Sequence, residues 1–462
     1  MKTILPALAL ALAALATAST APASAAELKR KAPLGIGLSP APGGEVRVDR
    51  LMPGGTAEAI GLRTGDIVVS VGGKPVTAVT DVTRYAATLH GNDPVRIGVS
   101  REGRQMTLQG KAKSRPLESY ANATVDYGAV AFRDGHIRDI LVMPANAKNA
   151  PVVFLIPGYG CGSIEPVEAD HTYRRLGEEL LARGIGYYRA EKLGSGDSTG
   201  SLKCAEIDND TEVAGFRAAY HHLTGPRGIS ADRVFILGHS LGGIQAPVVA
   251  AGRPPRGIAV YGTVVRNWAD YHHDVDATQA FLMNGTDPVE ITADAERNRD
   301  LFRMFYFERK SPAEIVAARQ DYAETLRGLF SWDGRTHVFG RDYRLAQQLA
   351  HIPLAAAWKA VPTNVLALYG ETDIVALNDE DHRLLADMAD QWRPGSGRFV
   401  EVPKTDHGMT LVGDRKTFRE RVRAANGVPP IGSFNPAVAD ALASWIHESM
   451  AKPPVRTTAV RS

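Results

Sequence analysis

Two cysteines, Cys161 and Cys204, are all that the 462 residues contain. A pair alone does not make the four-ligand cage of a structural zinc site, and it makes at most one disulfide. Charge of one sign is equally scarce, since 53 lysines and arginines face 51 aspartates and glutamates and leave a formal net charge of +2. Such balance gives no electrostatic footprint for nucleic acid, so no nucleic-acid partner is expected. Past the N-terminus no stretch approaches the roughly twenty uninterrupted apolar residues that a bilayer span needs. The chain is nonetheless too long for one core, and at least two domains are expected.

What is present starts with Lys2, an Ala/Leu-rich run from Ile4 to Leu15, and Ala23-Ser24-Ala25. These read as the basic, apolar and cleavage regions of a signal peptide over residues 1–26, with the mature chain starting near Ala26 or Glu27. The expectation is an exported protein, periplasmic or secreted, with no stable membrane span after cleavage. Outside the cytoplasm a pair of thiols tends to become a disulfide. The basic run Lys29, Arg30, Lys31 reads as a solvated linker.

Residues 32–113 form a unit of short alternating strands and glycine-rich turns, marked by Pro33-Leu34-Gly35-Ile36-Gly37, Pro53-Gly54-Gly55-Thr56 and Gly61-Leu62-Arg63-Thr64-Gly65-Asp66. The order of these landmarks resembles a PDZ domain of the bacterial protease-associated kind. The resemblance implies a peptide or protein C-terminus as partner, its carboxylate held by backbone N–H groups of Gly35, Ile36 and Gly37. A helix over Asp81–Leu89 would place Val82, Tyr85, Ala86 and Leu89 on one face, opposite that strand.

A polar stretch with Pro116, residues 114–124, reads as a linker. A hairpin follows, Val125–Phe132 and His136–Val142, and then Pro151–Ile156, a continuous apolar run of the kind buried on both faces of a parallel sheet. The rhythm of helix and buried strand continues through His171–Arg183, Gly186–Ala190 and Val234–Leu237. The last run delivers Gly238-His239-Ser240-Leu241-Gly242, a nucleophile elbow whose glycines admit a strained strand-to-helix turn that lifts the serine hydroxyl clear of the sheet. Pro247, early in the following helix, predicts a kink or a short first turn there.

From residue 125 to 450 the chain resembles the alpha/beta hydrolases. That resemblance implies a mostly parallel sheet flanked by helices, with the catalytic residues in the order Ser240, Asp373, His407. Asp373 follows the strand Asn364–Tyr369, and His407 follows the strand Arg398–Val402. His407 would act as general base on Ser240, with Asp373 fixing its tautomer. The nearby Asp379 and His382, on an expected helix, and Asp406, beside the histidine, are decoys. Leu241 and Tyr159 are the candidate oxyanion donors; for Tyr159 either the hydroxyl, as in prolyl-oligopeptidase-like enzymes, or the backbone N–H would serve. Cys161 and Cys204 fall on consecutive loops at one sheet edge, and a bridge there would stabilise by roughly 4 kcal/mol in the chain-entropy model.

Strands pause over about residues 266–350, where this family carries a helical cap. Ser311-Pro312-Ala313-Glu314 is a capping box with proline at the first helical position, and Ile315, Ala318, Tyr322, Leu326 and Leu329 share a face behind it. Phe302, Met304, Phe305, Tyr306 and Phe307 make an apolar stretch suited to lining an acyl pocket. His272 and His273, beside Asp274 and Asp276, read as solvated cap surface rather than metal ligands. The expected activity is hydrolysis of carboxylic esters through an acyl-serine, with no cofactor and no metal. A peptidase of prolyl-oligopeptidase-like type, or a peptide-binding protein with a degenerate hydrolase domain, stays open as an alternative.

Overall fold

Residues 28–455, other than 42, 148 and 167, are described by the computed structural model; the expected signal peptide lies outside them. The first unit runs β1 (Ile36–Pro40), β2 (Val46–Leu51), α1 (Thr56–Ala59), β3 (Ile67–Val71), β4 (Lys74–Pro75), α2 (Val79–Thr88), β5 (Pro94–Arg101) and β6 (Arg104–Lys111). Its sheet has the order β1-β2-β3-β5-β6, with β4 paired to β3, so β1 is an edge. Alternation buries Val46, Val48, Ile97 and Val99 on one face. They pack with Val82 of α2 and Leu89 just beyond it.

The second sheet has eight strands. β7 (Ala123–Phe132) and β8 (Gly135–Pro144) form a hairpin turned through Arg133 at φ 50°. Then come β9 (Val152–Ile156), α3 (Thr172–Ala182), β10 (Gly186–Ala190), α4 (Asn209–Thr224), β11 (Val234–His239), α5 (Leu241–Val249) and β12 (Gly257–Tyr261). Every residue of β9, β10, β11 and β12 is buried, as a strand covered by helices on both faces requires. Helix α5 encloses Pro247 and ends after 9 residues, in keeping with a proline that has no N–H for the carbonyl one turn back.

Helices replace strands after β12: α6 (Trp268–Gln279), α7 (Pro288–Phe302), α8 (Pro312–Ala318), α9 (Tyr322–Leu329), a small hairpin β13 (His337–Val338) and β14 (Arg341–Asp342), then α10 (Tyr343–Leu349) and α11 (Leu354–Lys359). The sheet resumes with β15 (Asn364–Gly370), α12 (Glu380–Trp392) and β16 (Gly397–Val402), and α13 (Arg415–Ala424) and α14 (Pro436–Ala451) complete the chain. Strand order is β16-β15-β12-β11-β9-β10-β8-β7, parallel from β16 to β10 and antiparallel beyond. Among the described residues no helix is long and apolar enough to cross a membrane.

Two expectations for the cap need correcting. The capping box of Ser311 and Glu314 is present, but the apolar face behind it is split between α8 and α9. Arg319 leaves the helix at φ −144° and forks onto the Asp321 carboxylate, which ends the turn. His272 is not solvated. It is buried among Phe302, Phe330 and Phe339, with Nδ1 paired to the Tyr306 hydroxyl at 2.8 Å, and burial pushes its pKa down to about 4. His273 does face solvent.

The basic run at the start of the described chain is likewise not a free linker. Arg30 reaches Glu165 with both terminal nitrogens at 2.7 Å and Asp197 at 2.5 Å, while the Lys31 N–H donates to Asp197 at 2.7 Å. Both carboxylates belong to loops of the second domain and are buried. The segment after β6 is packed too, with Glu118 paired to the buried Arg189 and Arg115 donating to Ser163. Next to this junction, burial pushes the Glu191 carboxyl up to about 7. Folding therefore favours its protonated form, and stability should fall by about 3 kcal/mol as pH rises from about 4.5 to about 7. Glu191→Gln is expected to flatten that slope, read as urea midpoints across the window. An unchanged slope would place the proton elsewhere.

Candidate active site

Three loops at the C-terminal ends of parallel strands converge. Ser240, between β11 and α5, is held at φ 55° and ψ −123°, a conformation costing an L-residue about 1–3 kcal/mol. Close packing enforces it. A Cβ on Gly242 would strike the Ile156 carbonyl, and one on Gly238 would strike Gly242 itself. The Ser240 N–H is anchored on the Tyr261 carbonyl at 2.9 Å.

Asp373 follows β15 and is buried. One carboxylate oxygen accepts from the N–H groups of Val375 and Ala376 at 2.9 and 2.8 Å, and the other pairs with His407 Nδ1 at 2.8 Å. Burial works to raise the Asp373 pKa, but His407 and the Ala376 N–H outweigh it and hold the carboxyl below its usual value. For His407 burial works downward, and Asp373 more than offsets it, so the imidazole lies above its usual value. Gly262, at φ 61°, lies against both side chains: a Cβ there would come within 2.7 Å of Asp373 Oδ2 and 2.9 Å of His407 Nδ1. Thus Tyr261 and Gly262 at the end of β12 brace Ser240 on one side and the Asp373–His407 pair on the other. Among the described residues no hydrogen bond joins Ser240 Oγ to His407.

The alternative groups are engaged elsewhere. Asp379 pairs with Arg383 at 2.7 Å, Asp406 accepts from the Thr410 N–H, and the buried His382 accepts from the Thr263 N–H at 3.2 Å.

The loop after β9 covers the serine, with Gly158 so near that an added Cβ would sit 3.2 Å from Ser240 Cβ. Its carbonyls are held by cations. Lys192 Nζ donates to Gly158 O at 2.7 Å, and Arg341 Nη1 donates to Tyr159 O at 2.8 Å. Lys192 and Arg341 share the buried Glu212 carboxylate at 3.0 and 2.6 Å. Sequence reading missed this trio, whose members are far apart in the chain. The Tyr159 hydroxyl turns away from the serine and donates to Val338 O at 3.4 Å. Leu241 opens α5, and with Ile244, Val264, Leu345 and Leu349 it belongs to a buried apolar cluster against which half-buried Tyr159, Trp268 and Tyr271 pack.

A second missed feature is His239. Its Nδ1 meets the Tyr173 hydroxyl at 2.7 Å and its Nε2 meets the His407 carbonyl at 2.9 Å, while the Gly158 N–H reaches the same hydroxyl at 3.3 Å. Burial, helped by His407, pushes its pKa down to about 4, so it is neutral and its Nε2–H donates to His407. The histidine beside the serine in the elbow was the available signal. Cys161 and Cys204 are joined, with Cα atoms 5.8 Å apart, and the bridge ties the loop after β9 to the loop after β10.

A parallel sheet with a serine on its strand-to-helix elbow and an acid–histidine pair on two later strands defines the alpha/beta hydrolase architecture. Residues 152–420 match the model of the alpha/beta hydrolase family, and the protein belongs to that family. Residues 47–101 match the PDZ domain. No curated protein matches the chain. Among solved structures, Est1E from Butyrivibrio proteoclasticus is 16% identical with TM-score 0.42, over 71% of this chain and 99% of its own. A thermostable carboxyl esterase from Bacillus coagulans is 14% identical with TM-score 0.40, over 71% and 99%. A soluble variant of monoglyceride lipase from Saccharomyces cerevisiae is 14% identical with TM-score 0.41, over 72% and 99%. Likenesses this distant carry no argument about substrate.

Proposed function

We propose that the protein is an exported serine hydrolase that cleaves carboxylic esters through Ser240, His407 and Asp373. The observation that carries this reading is the hydrogen bond between His407 Nδ1 and the buried Asp373 carboxylate, set beside a serine strained on its elbow. With Nδ1–H committed to Asp373, His407 keeps Nε2 free to take the Ser240 proton as Oγ attacks the ester carbonyl. The alcohol leaves with that proton, an acyl-serine forms, and water activated by the same imidazole releases the acid. Bridging of the serine to the imidazole is left to the substrate complex, where such bonds tighten.

Two backbone donors suit the oxyanion. One is the Leu241 N–H at the start of α5. The other is the Tyr159 N–H: the peptide unit is planar and trans, so holding the Gly158 carbonyl on Lys192 turns that N–H the opposite way. The Tyr159 hydroxyl is already spent on Val338, which favours esterase-type over prolyl-oligopeptidase-type chemistry. The apolar cluster that begins at Leu241, next to the proposed nucleophile, suits an apolar acyl or alkyl group. The disulfide fits an oxidising destination outside the cytoplasm.

His239 is a positioning residue in this scheme, holding the His407 backbone to the Tyr173 hydroxyl that also holds Gly158. His239→Leu is expected to lower kcat by about 10- to 100-fold with little change in KM, with partial rescue by His239→Gln. Equal effects of the two variants would reduce His239 to packing. The reading as a whole is tested by a fluorophosphonate probe and a panel of p-nitrophenyl esters run beside peptide amides. Labelling that vanishes in Ser240→Ala, with turnover of esters only, supports it; labelling elsewhere, or amide cleavage at equal efficiency, sinks it.

The PDZ unit is assigned a partner polypeptide's free C-terminus. Leu34, Gly35 and Ile36 line the opening beside α2, with Gly35 at φ 71°, and Gly37 follows inside β1 with the Arg50 side chain against it; the backbone N–H groups of Gly35, Ile36 and Gly37 are the proposed carboxylate donors.

A further inference from the structure

A cleft of about 450 Å3 opens between the two domains. One wall is the PDZ unit, with Leu34, Gly35 and Ile36 where β1 begins and Val82 and Ala86 on α2. The facing wall belongs to the hydrolase domain: Cys161 and Ser163 on the loop after β9, Ser195 and Gly196 on the loop after β10. Ser195 Oγ donates to the Cys161 carbonyl at 3.0 Å, and with the disulfide this makes the two loops one surface. Lys31 and Arg115 also line the cleft. Arg115 donates to Ser163 Oγ at 2.5 Å, and its Nε is shielded from solvent with no acceptor.

We propose that this cleft is a docking site built by both domains for a partner polypeptide ending in a free carboxylate and an apolar residue. The proposal rests on the peptide reading of the PDZ unit and adds the hydrolase wall to it. The free edge of β1 offers main-chain partners to an extended strand, and Val82 and Ala86 offer an apolar seat for its last side chain. Lys31, whose Nζ rests on the neutral Ala87 carbonyl at 2.9 Å, supplies positive charge to match a carboxylate, and Arg115 adds to it while also lying 3.8 Å from Glu165. In an isolated PDZ unit the far side of the ligand would face water; here it faces Cys161 and Ser163. The same loop continues back through Gly160 to Tyr159, so whatever fills the cleft touches the segment that covers Ser240.

The test uses the full chain and fluorescein-labelled pentapeptides ending in Val, Leu or Phe, each as free acid and as amide, read by anisotropy. The acid is expected to bind at least about tenfold tighter than the amide. Gly162, exposed between Cys161 and Ser163, has open space for a side chain. Gly162→Glu should weaken the acid by about threefold and Gly162→Lys should tighten it by a similar factor, because opposite charges near a carboxylate act in opposite directions. A fold or loop disturbance would move both variants the same way. Acid preference with no opposed charge effect overturns the hydrolase wall and leaves the PDZ reading standing. Equal binding of acids and amides, or none by any peptide, overturns both.

Discussion

Alanine in place of Ser240 or of His407 is expected to lower kcat/KM on a p-nitrophenyl ester by roughly 100,000-fold, each alone costing about as much as both together. In the proposed mechanism the two act as a unit, so losing either leaves only the proposed oxyanion donors and binding. Asp373→Asn should cost roughly 10,000-fold, because an amide fixes the wrong imidazole tautomer. The acid limb of the wild-type pH profile follows from the same pair. Asp373 holds the His407 pKa above the usual 6.5, and in the proposed mechanism only neutral His407 accepts the serine proton. Activity is therefore lost as pH falls through a value above 6.5. Ser240→Gly, by contrast, should gain about 1 kcal/mol in unfolding experiments, since glycine adopts φ 55° freely. Near-normal turnover in Ser240→Ala would remove the serine from the mechanism.

The second large effect is expected at the junction of the domains. Arg30→Ala should destabilise by about 3–5 kcal/mol, because it strips the cation from Glu165 and Asp197, which are buried and cannot regain water. Arg30→Lys should recover part of the loss, since an ammonium serves one carboxylate but cannot fork across both. Urea unfolding followed by fluorescence, with p-nitrophenyl ester turnover alongside, reads the effect. A midpoint unchanged in Arg30→Ala would mean that Arg115, already 3.8 Å from Glu165, and Arg138, already 3.6 Å from Asp197, suffice for the two carboxylates.

The sheet was readable because its strands are covered on both faces. Val234–His239 and Asn364–Gly370 are buried runs bounded by polar turns, and each delivers a chemically distinctive loop: Ser240 lies after the first and Asp373 after the second. What sequence could not show is contact between distant polar residues. Arg30 looked solvated because its neighbours Lys29 and Lys31 are charged, whereas its partners lie 135 and 167 residues further on. The Lys192–Glu212–Arg341 group and the Tyr173–His239–His407 connection were hidden for the same reason. His272 was misjudged because its burial comes from rings on three other segments, Phe302, Phe330 and Phe339. A local run of Asp and His gives no hint of them.

Strands β12 and β15 lie side by side, Gly257 against Asn364 and Tyr261 against Leu368, although the whole cap is encoded between them. During synthesis at about 5–20 residues per second, β15 follows β12 by roughly 5 to 20 seconds. Until β15 is made, β12 lacks the strand it pairs with on that side in the finished sheet. Ser240 is already on the chain by then, but Asp373 and His407 are not. The proposed nucleophile is thus made well before its proposed base, and on that mechanism the site is complete only once both strands have paired across the gap.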